Sequence, residues 1–173
     1  MDTLIRTGSP APQFEMTDLN GHLHTLANNA GKICVLIFWS AECSWSERAD
    51  HALQSMQAAW GKQVVVFRIA SNANETHQLI YTVSKERKIE PMILDTQQTL
   101  ANLFQAQITP EVFVFDGGGI LRYQGGFDNA NFRQPEPTRN YLWEAVQSII
   151  AGENPTPQST KAYGCTIVFN TEE

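Results

Sequence analysis

The strongest constraint on the fold is the segment Ile33-Cys34-Val35-Leu36-Ile37-Phe38-Trp39. Seven consecutive apolar residues, with no polar alternation, suit a central strand covered on both faces, the pattern of parallel sheets. The chain after it changes period. Trp45, Ala49, Ala52, Leu53, Met56, Ala59 and Trp60 recur at three- and four-residue steps, so a helix follows. Ser44 with Glu47 forms a capping-box signature at its start, and Gly61 closes it.

The rest of the chain extends the same alternation. Residues 63–70 form a second buried strand, residues 74–88 a more polar helix, and Met92-Ile93-Leu94 a short strand. Asp95 with Gln98 caps a helix carrying Leu100, Leu103 and Phe104. Thr109-Pro110 punctuates the chain before Val112 to Phe115, and the Asp116–Gly119 turn returns it antiparallel through Ile120 to Gln124. Asn20-Gly21 marks a short hairpin within residues 13–27. A final helix spans about 138–151, and Pro-rich residues 153–164 lead to a small docking strand at Cys165–Phe169. This order predicts an α/β three-layer sandwich with a mixed central sheet and an N-terminal hairpin. Residues 1–152 form the domain and residues 153–173 a C-terminal tail.

Composition narrows the function. Leu, Ile, Val and Phe make up about a quarter of the 173 residues, above the roughly 20% at which chains tend to stay disordered. Twelve basic against eighteen acidic residues give a net charge of −6 with no basic cluster, which argues against nucleic-acid binding. The apolar runs are too short for a membrane span, and the first residues show no secretory leader, so a cytoplasmic protein is expected. The four histidines are scattered, and the three cysteines lack zinc-site spacing, so neither a metal nor any other cofactor is expected. Three scattered cysteines also do not make a disulfide scaffold, which leaves thiol chemistry.

Cys43 falls where the buried strand ends and the helix begins. Unpaired N–H groups and the dipole at a helix N-terminus favour thiolate over thiol. The adjacent Glu42 opposes this, and a cysteine merely packed under the loop is the plainer alternative. Trp39 and Trp45 flank the sulfur as an apolar contact surface. Trp39 at the strand end is the better surface candidate, and Trp45 reads more naturally as core. Cys34 reads as a small core residue.

Four segments together resemble the thioredoxin-fold redoxins of the alkyl hydroperoxide reductase/thiol-specific antioxidant group, which are related to peroxiredoxins. They are Phe38–Cys43, Thr109-Pro110, Asp116-Gly117 through Gly125, and Thr160–Ile167 with its Gly164-Cys165 pair. The resemblance implies an antioxidant, peroxiredoxin-like oxidoreductase in which Cys43 attacks a peroxide or a protein disulfide. A thiol reductant such as thioredoxin or glutathione would complete the cycle. It also implies a cis peptide bond at Thr109-Pro110, with a backbone edge that accepts an extended substrate beside Cys43.

The departures are specific. Cys43-Ser44-Trp45-Ser46 replaces Cys-x-x-Cys, and Ile37 stands where thioredoxins keep a buried acid. Leu36 replaces the peroxiredoxin proline, whereas Ser40 keeps the hydroxyl three residues before the cysteine. Ser40 is therefore a candidate donor near Cys43, or an ordinary turn-capping serine. With no thiol at position 46, the resemblance offers Cys165 as the resolving thiol. Cys165 in a purely tethering tail strand is the alternative, since a bridge needs Cα atoms within about 7 Å. A non-catalytic protein-binding module with a vestigial site stands beside the enzymatic reading.

Overall fold

The computed structural model describes residues 5–171. The predicted absence of a leader rests mostly on residues 1–4, which lie outside this range.

Two short strands, β1 (Met16–Thr17) and β2 (Leu23–His24), make the expected antiparallel hairpin. The apolar run is strand β3 (Ile33–Trp39), buried at all seven positions. Helix α1 (Ser44–Trp60), strand β4 (Val64–Ala70), helix α2 (His77–Glu86), strand β5 (Met92–Leu94) and helix α3 (Thr99–Phe104) follow. Strands β6 (Ile108–Thr109), β7 (Glu111–Phe115) and β8 (Leu121–Gly125), helix α4 (Tyr141–Ile150) and strand β9 (Cys165–Thr166) complete the order. Five strands form the central sheet in the order β5-β4-β3-β7-β8. β3 pairs parallel with β4 and antiparallel with β7, so the sheet is mixed.

The period of two along β3 divides the core into two layers. Ile33, Val35 and Ile37 pack with Ala49, Leu53 and Met56 of α1 and Leu142 and Val146 of α4. Cys34, Leu36 and Phe38 face Leu100 and Phe104 of α3, so Cys34 is the core residue expected. Burial on both sides is why β3 carries no polar alternation.

Two local expectations are corrected. The N-cap of α1 is Cys43, not Ser44, and the Glu47 N–H donates to the Cys43 carbonyl. Helix α2 begins only at His77, with Thr76 as its cap accepting from the Leu79 N–H. Residues 74–76 are thereby released from the helix and join the loop that reaches the site.

Beyond α4 the tail runs beside the sheet. The Gln124 N–H donates to the Gln158 carbonyl and the Thr160 N–H to the Gln124 carbonyl. Strand β9 then pairs antiparallel with β6, placing Thr109 opposite Cys165.

Candidate active site

As the N-cap residue, Cys43 holds its sulfur where a capping side chain would accept from the first turn. The thiol donates to the Thr109 carbonyl oxygen at 3.3 Å, and the Thr109-Pro110 bond is cis. Cys165 stands opposite Thr109 in the ladder, the residue whose carbonyl receives the Cys43 thiol, and the two cysteines influence each other's ionisation. The chain thus joins residues 43, 109 and 165 within one contact shell.

The two thiols are unequal. Burial opposes ionisation of Cys43, but the Cys165 thiol, the Ser46 N–H and the hydroxyls of Thr109 and Ser46 together hold its pKa below the ordinary cysteine value. Burial and the neighbouring Cys43 push the Cys165 thiol up to about 12. Cys34, deep in the sheet, is pushed up to about 11 by burial alone among its raising influences. Of the two, Cys43 is the sulfur favoured to ionise. Ser46, where a second cysteine would stand in Cys-x-x-Cys, is fully buried and serves the Cys43 sulfur as a donor.

Four of the predicted site residues stand differently from expectation. Cys43, expected at an open helix mouth, is 2% exposed, because Thr109 and Cys165 lie against its sulfur. Trp39 is not a surface residue: it is 1% exposed, and its indole N–H donates to Asp50 Oδ2 at 2.8 Å. Trp45 is the more exposed of the pair, packed edge-on to the exposed Phe132 ring, which in turn meets Tyr163 edge-on. Ser40 does not point its hydroxyl at Cys43. It donates to Glu75 Oε2 at 2.8 Å, while its N–H donates to Ser46 Oγ.

Glu75, Asp50 and Arg87 were not legible as site residues. Glu75 accepts from Ser40 Oγ and from the N–H groups of Ala41 and Glu42. Arg87 donates to the Ala41 carbonyl and to Asp50, and Asp50 also accepts from Arg68 Nε at 2.8 Å. These partners lie 11 to 46 residues apart along the chain, so no local pattern announces them.

Gly164 explains how β9 comes so close to the site. A Cβ there would overlap the Thr109 carbonyl and crowd Ile108. Overpacking of this kind costs about 1–3 kcal/mol. Gly164→Ala is therefore expected to lift β9 from β6 and raise the alkylation rate of Cys43 roughly five-fold or more. An unchanged rate, measured by quenched-flow mass spectrometry, contradicts this role for the tail.

Residues 7–124 match the AhpC/TSA family. The chain belongs to that family. The match spans Cys43, Thr109 and Pro110 and ends before Cys165. This AhpC/TSA member is 30% identical over 121 residues to the thiol-disulfide oxidoreductase ResA of Geobacillus kaustophilus, covering 69% of each chain. It is 25% identical over 116 residues to ResA of Bacillus subtilis, covering 66% of this chain and 64% of that one. Among solved structures it resembles a hypothetical protein of Sinorhizobium meliloti, at 26% identity, TM-score 0.86 and 98% coverage of both chains. The fold also matches a putative thiol:disulfide interchange protein DsbE of Chlorobium tepidum, with TM-score 0.67, 19% identity, and 86% and 97% coverage.

Proposed function

We propose that this AhpC/TSA member is a thiol-dependent oxidoreductase whose redox pair is Cys43 and Cys165. The observation that carries the reading is the pairing of β9 with β6, which seats Cys165 opposite Thr109, the residue whose carbonyl receives the Cys43 thiol. In thiol-disulfide exchange the Cys43 thiolate attacks a substrate disulfide, forming a mixed disulfide and releasing one substrate thiolate, which takes up a proton. Cys165 then gives up its proton and attacks the Cys43 sulfur. The second substrate thiol leaves, and a Cys43–Cys165 disulfide remains, the protein oxidised by two electrons and the substrate reduced. A dithiol such as thioredoxin, or two molecules of glutathione, reduces the bond again.

A peroxide is the second oxidant, favoured by the burial of Cys43 beneath its own tail. The thiolate attacks one peroxide oxygen to give the sulfenic acid and an alkoxide or hydroxide, which is protonated. Attack by Cys165 then expels water and leaves the same disulfide. The relatives' activity supports thiol-disulfide exchange, and the resemblance to alkyl hydroperoxide reductases supports the peroxide route.

Non-reducing peptide mapping after mild oxidation tests the pair. A bond between Cys43 and Cys165 is expected, and an oxidised Cys43 left unbridged overturns the assignment. The pH dependence has a definite sign. Because its hydrogen bonds favour the charged form, Cys43 is expected to ionise below the ordinary cysteine value, with Cys165 above it. The difference in thiolate ultraviolet absorbance between wild type and Cys43→Ser reads that midpoint directly. A midpoint at or above the ordinary value favours the vestigial binding module.

A further inference from the structure

The loop between β4 and α2 touches both halves of the candidate redox pair, through different residues. On one side Glu75, 8% exposed, receives Ser40 Oγ at 2.8 Å, the Ala41 N–H at 3.0 Å and the Glu42 N–H at 3.1 Å. These three donors are the residues immediately before Cys43. On the other side, the Ala73 N–H donates to the Val168 carbonyl at 2.9 Å, and Asn72 Oδ1 accepts the Val168 N–H at 2.8 Å. Val168 lies three residues beyond Cys165. The five residues from Asn72 to Thr76 therefore clamp the loop that presents Cys43 and the strand that presents Cys165.

A carboxylate has a particular fitness for this place. It is an acceptor at both oxygens, and all three facing groups are donors. A carboxamide of the same size turns an N–H₂ toward at least one of those donors. The site also holds no other acid within the loop's hydrogen bonds: Glu42 offers its N–H there, and Arg87 approaches Ala41 from the carbonyl side.

We infer that Glu75 is the positioning residue of the redox pair, its carboxylate holding residues 40–42 so that the Cys43 sulfur meets the Cys165 strand anchored on the same loop. The inference rests on the Cys43–Cys165 reading above. Glu75 touches neither sulfur by hydrogen bond and acts on Cys43 through the backbone. Its negative charge also faces Cys165, where, after burial and Cys43 itself, it helps keep that sulfur protonated.

The test uses the full chain and two readouts of opposite expected sign. In Glu75→Gln, closure of the Cys43–Cys165 disulfide after one equivalent of oxidant is expected to slow at least ten-fold, because the loop is no longer held. Alkylation of Cys165, measured in a Cys43→Ser background, is expected to rise severalfold, because a negative charge has been removed. General loosening also raises alkylation of Cys43, measured in a Cys165→Ser background, whereas loss of the charge raises that of Cys165 alone. Should Glu75→Gln fail to fold, Ser40→Ala removes a single donor at this carboxylate, and a three-fold or greater slowing of closure is expected. Closure within two-fold of wild type in the folded variants overturns the positioning role and leaves the redox pair intact. Wild type that forms no Cys43–Cys165 bond overturns the pair and, with it, this inference.

Discussion

Cys43→Ser is expected to abolish thiol-dependent turnover, by at least about 10³-fold, while the fold survives. Serine is among the residues preferred at the N-cap position that Cys43 occupies on α1. It cannot form a mixed disulfide or a sulfenic acid, so neither oxidant has a point of attack. Cys165→Ser behaves differently. The first step survives, but the intermediate on Cys43 has no partner thiol, since Cys34 is buried within the sheet. It accumulates as a mixed disulfide or an over-oxidised sulfur. Mass spectrometry of intact protein after one equivalent of oxidant distinguishes the two variants: no adduct for the first, a persistent adduct for the second. Turnover that persists in Cys43→Ser removes this sulfur from the mechanism.

The second large effect is on stability. Asp50 is 4% exposed and accepts from the Trp39 indole, Arg68 Nε and Arg87. Arg68 is equally buried, in the middle of β4. Taking away the carboxylate leaves a guanidinium buried beside the sheet with no counter-charge, a defect that costs about 3–5 kcal/mol. For a chain of this size Asp50→Ala is expected to lower Tm by roughly 6–20 °C. Asp50→Asn retains one acceptor oxygen and should fall between the two. Because Arg87 also holds the Ala41 carbonyl, loss of its partner loosens the loop before Cys43. Calorimetry beside the disulfide-closure assay separates the two consequences, and a Tm change under about 2 °C contradicts the buried-network account.

Members of this fold with two cysteines on the helix turn resolve their intermediates locally. Here that position is Ser46, and in the proposed pairing the second thiol is Cys165, more than a hundred residues downstream in the chain. Under that proposal, closing the site and delivering the resolving sulfur would be one event, and displacing β9 would both open Cys43 to a protein substrate and withhold its partner thiol.

The central strand, the helix that follows it and the position of Cys43 between them were readable along the chain. Burial on both faces writes itself as the unbroken run from Ile33 to Trp39, and burial on one face of α1 as a repeat of three and four. Thr109-Pro110 and the β7–β8 hairpin were readable for the same reason: their signals lie within a few residues. The end of β3 was not. Trp39 was expected at the surface, and its burial depends on a carboxylate eleven residues away on α1. Ser40 reads as a candidate donor to Cys43 because it matches the peroxiredoxin hydroxyl three residues before the cysteine, whereas its hydroxyl turns to Glu75, thirty-five residues on.

Periodicity and local spacing report how a segment is buried, because both faces of a strand or helix recur within its own residues. Hydrogen bonds between separate loops leave no such trace. The contacts of Glu75, and the antiparallel match of Thr109 with Cys165, exist because packing two layers onto β3 brings distant segments to the same end of the sheet. Which of the two sulfurs is favoured to ionise depends on that convergence.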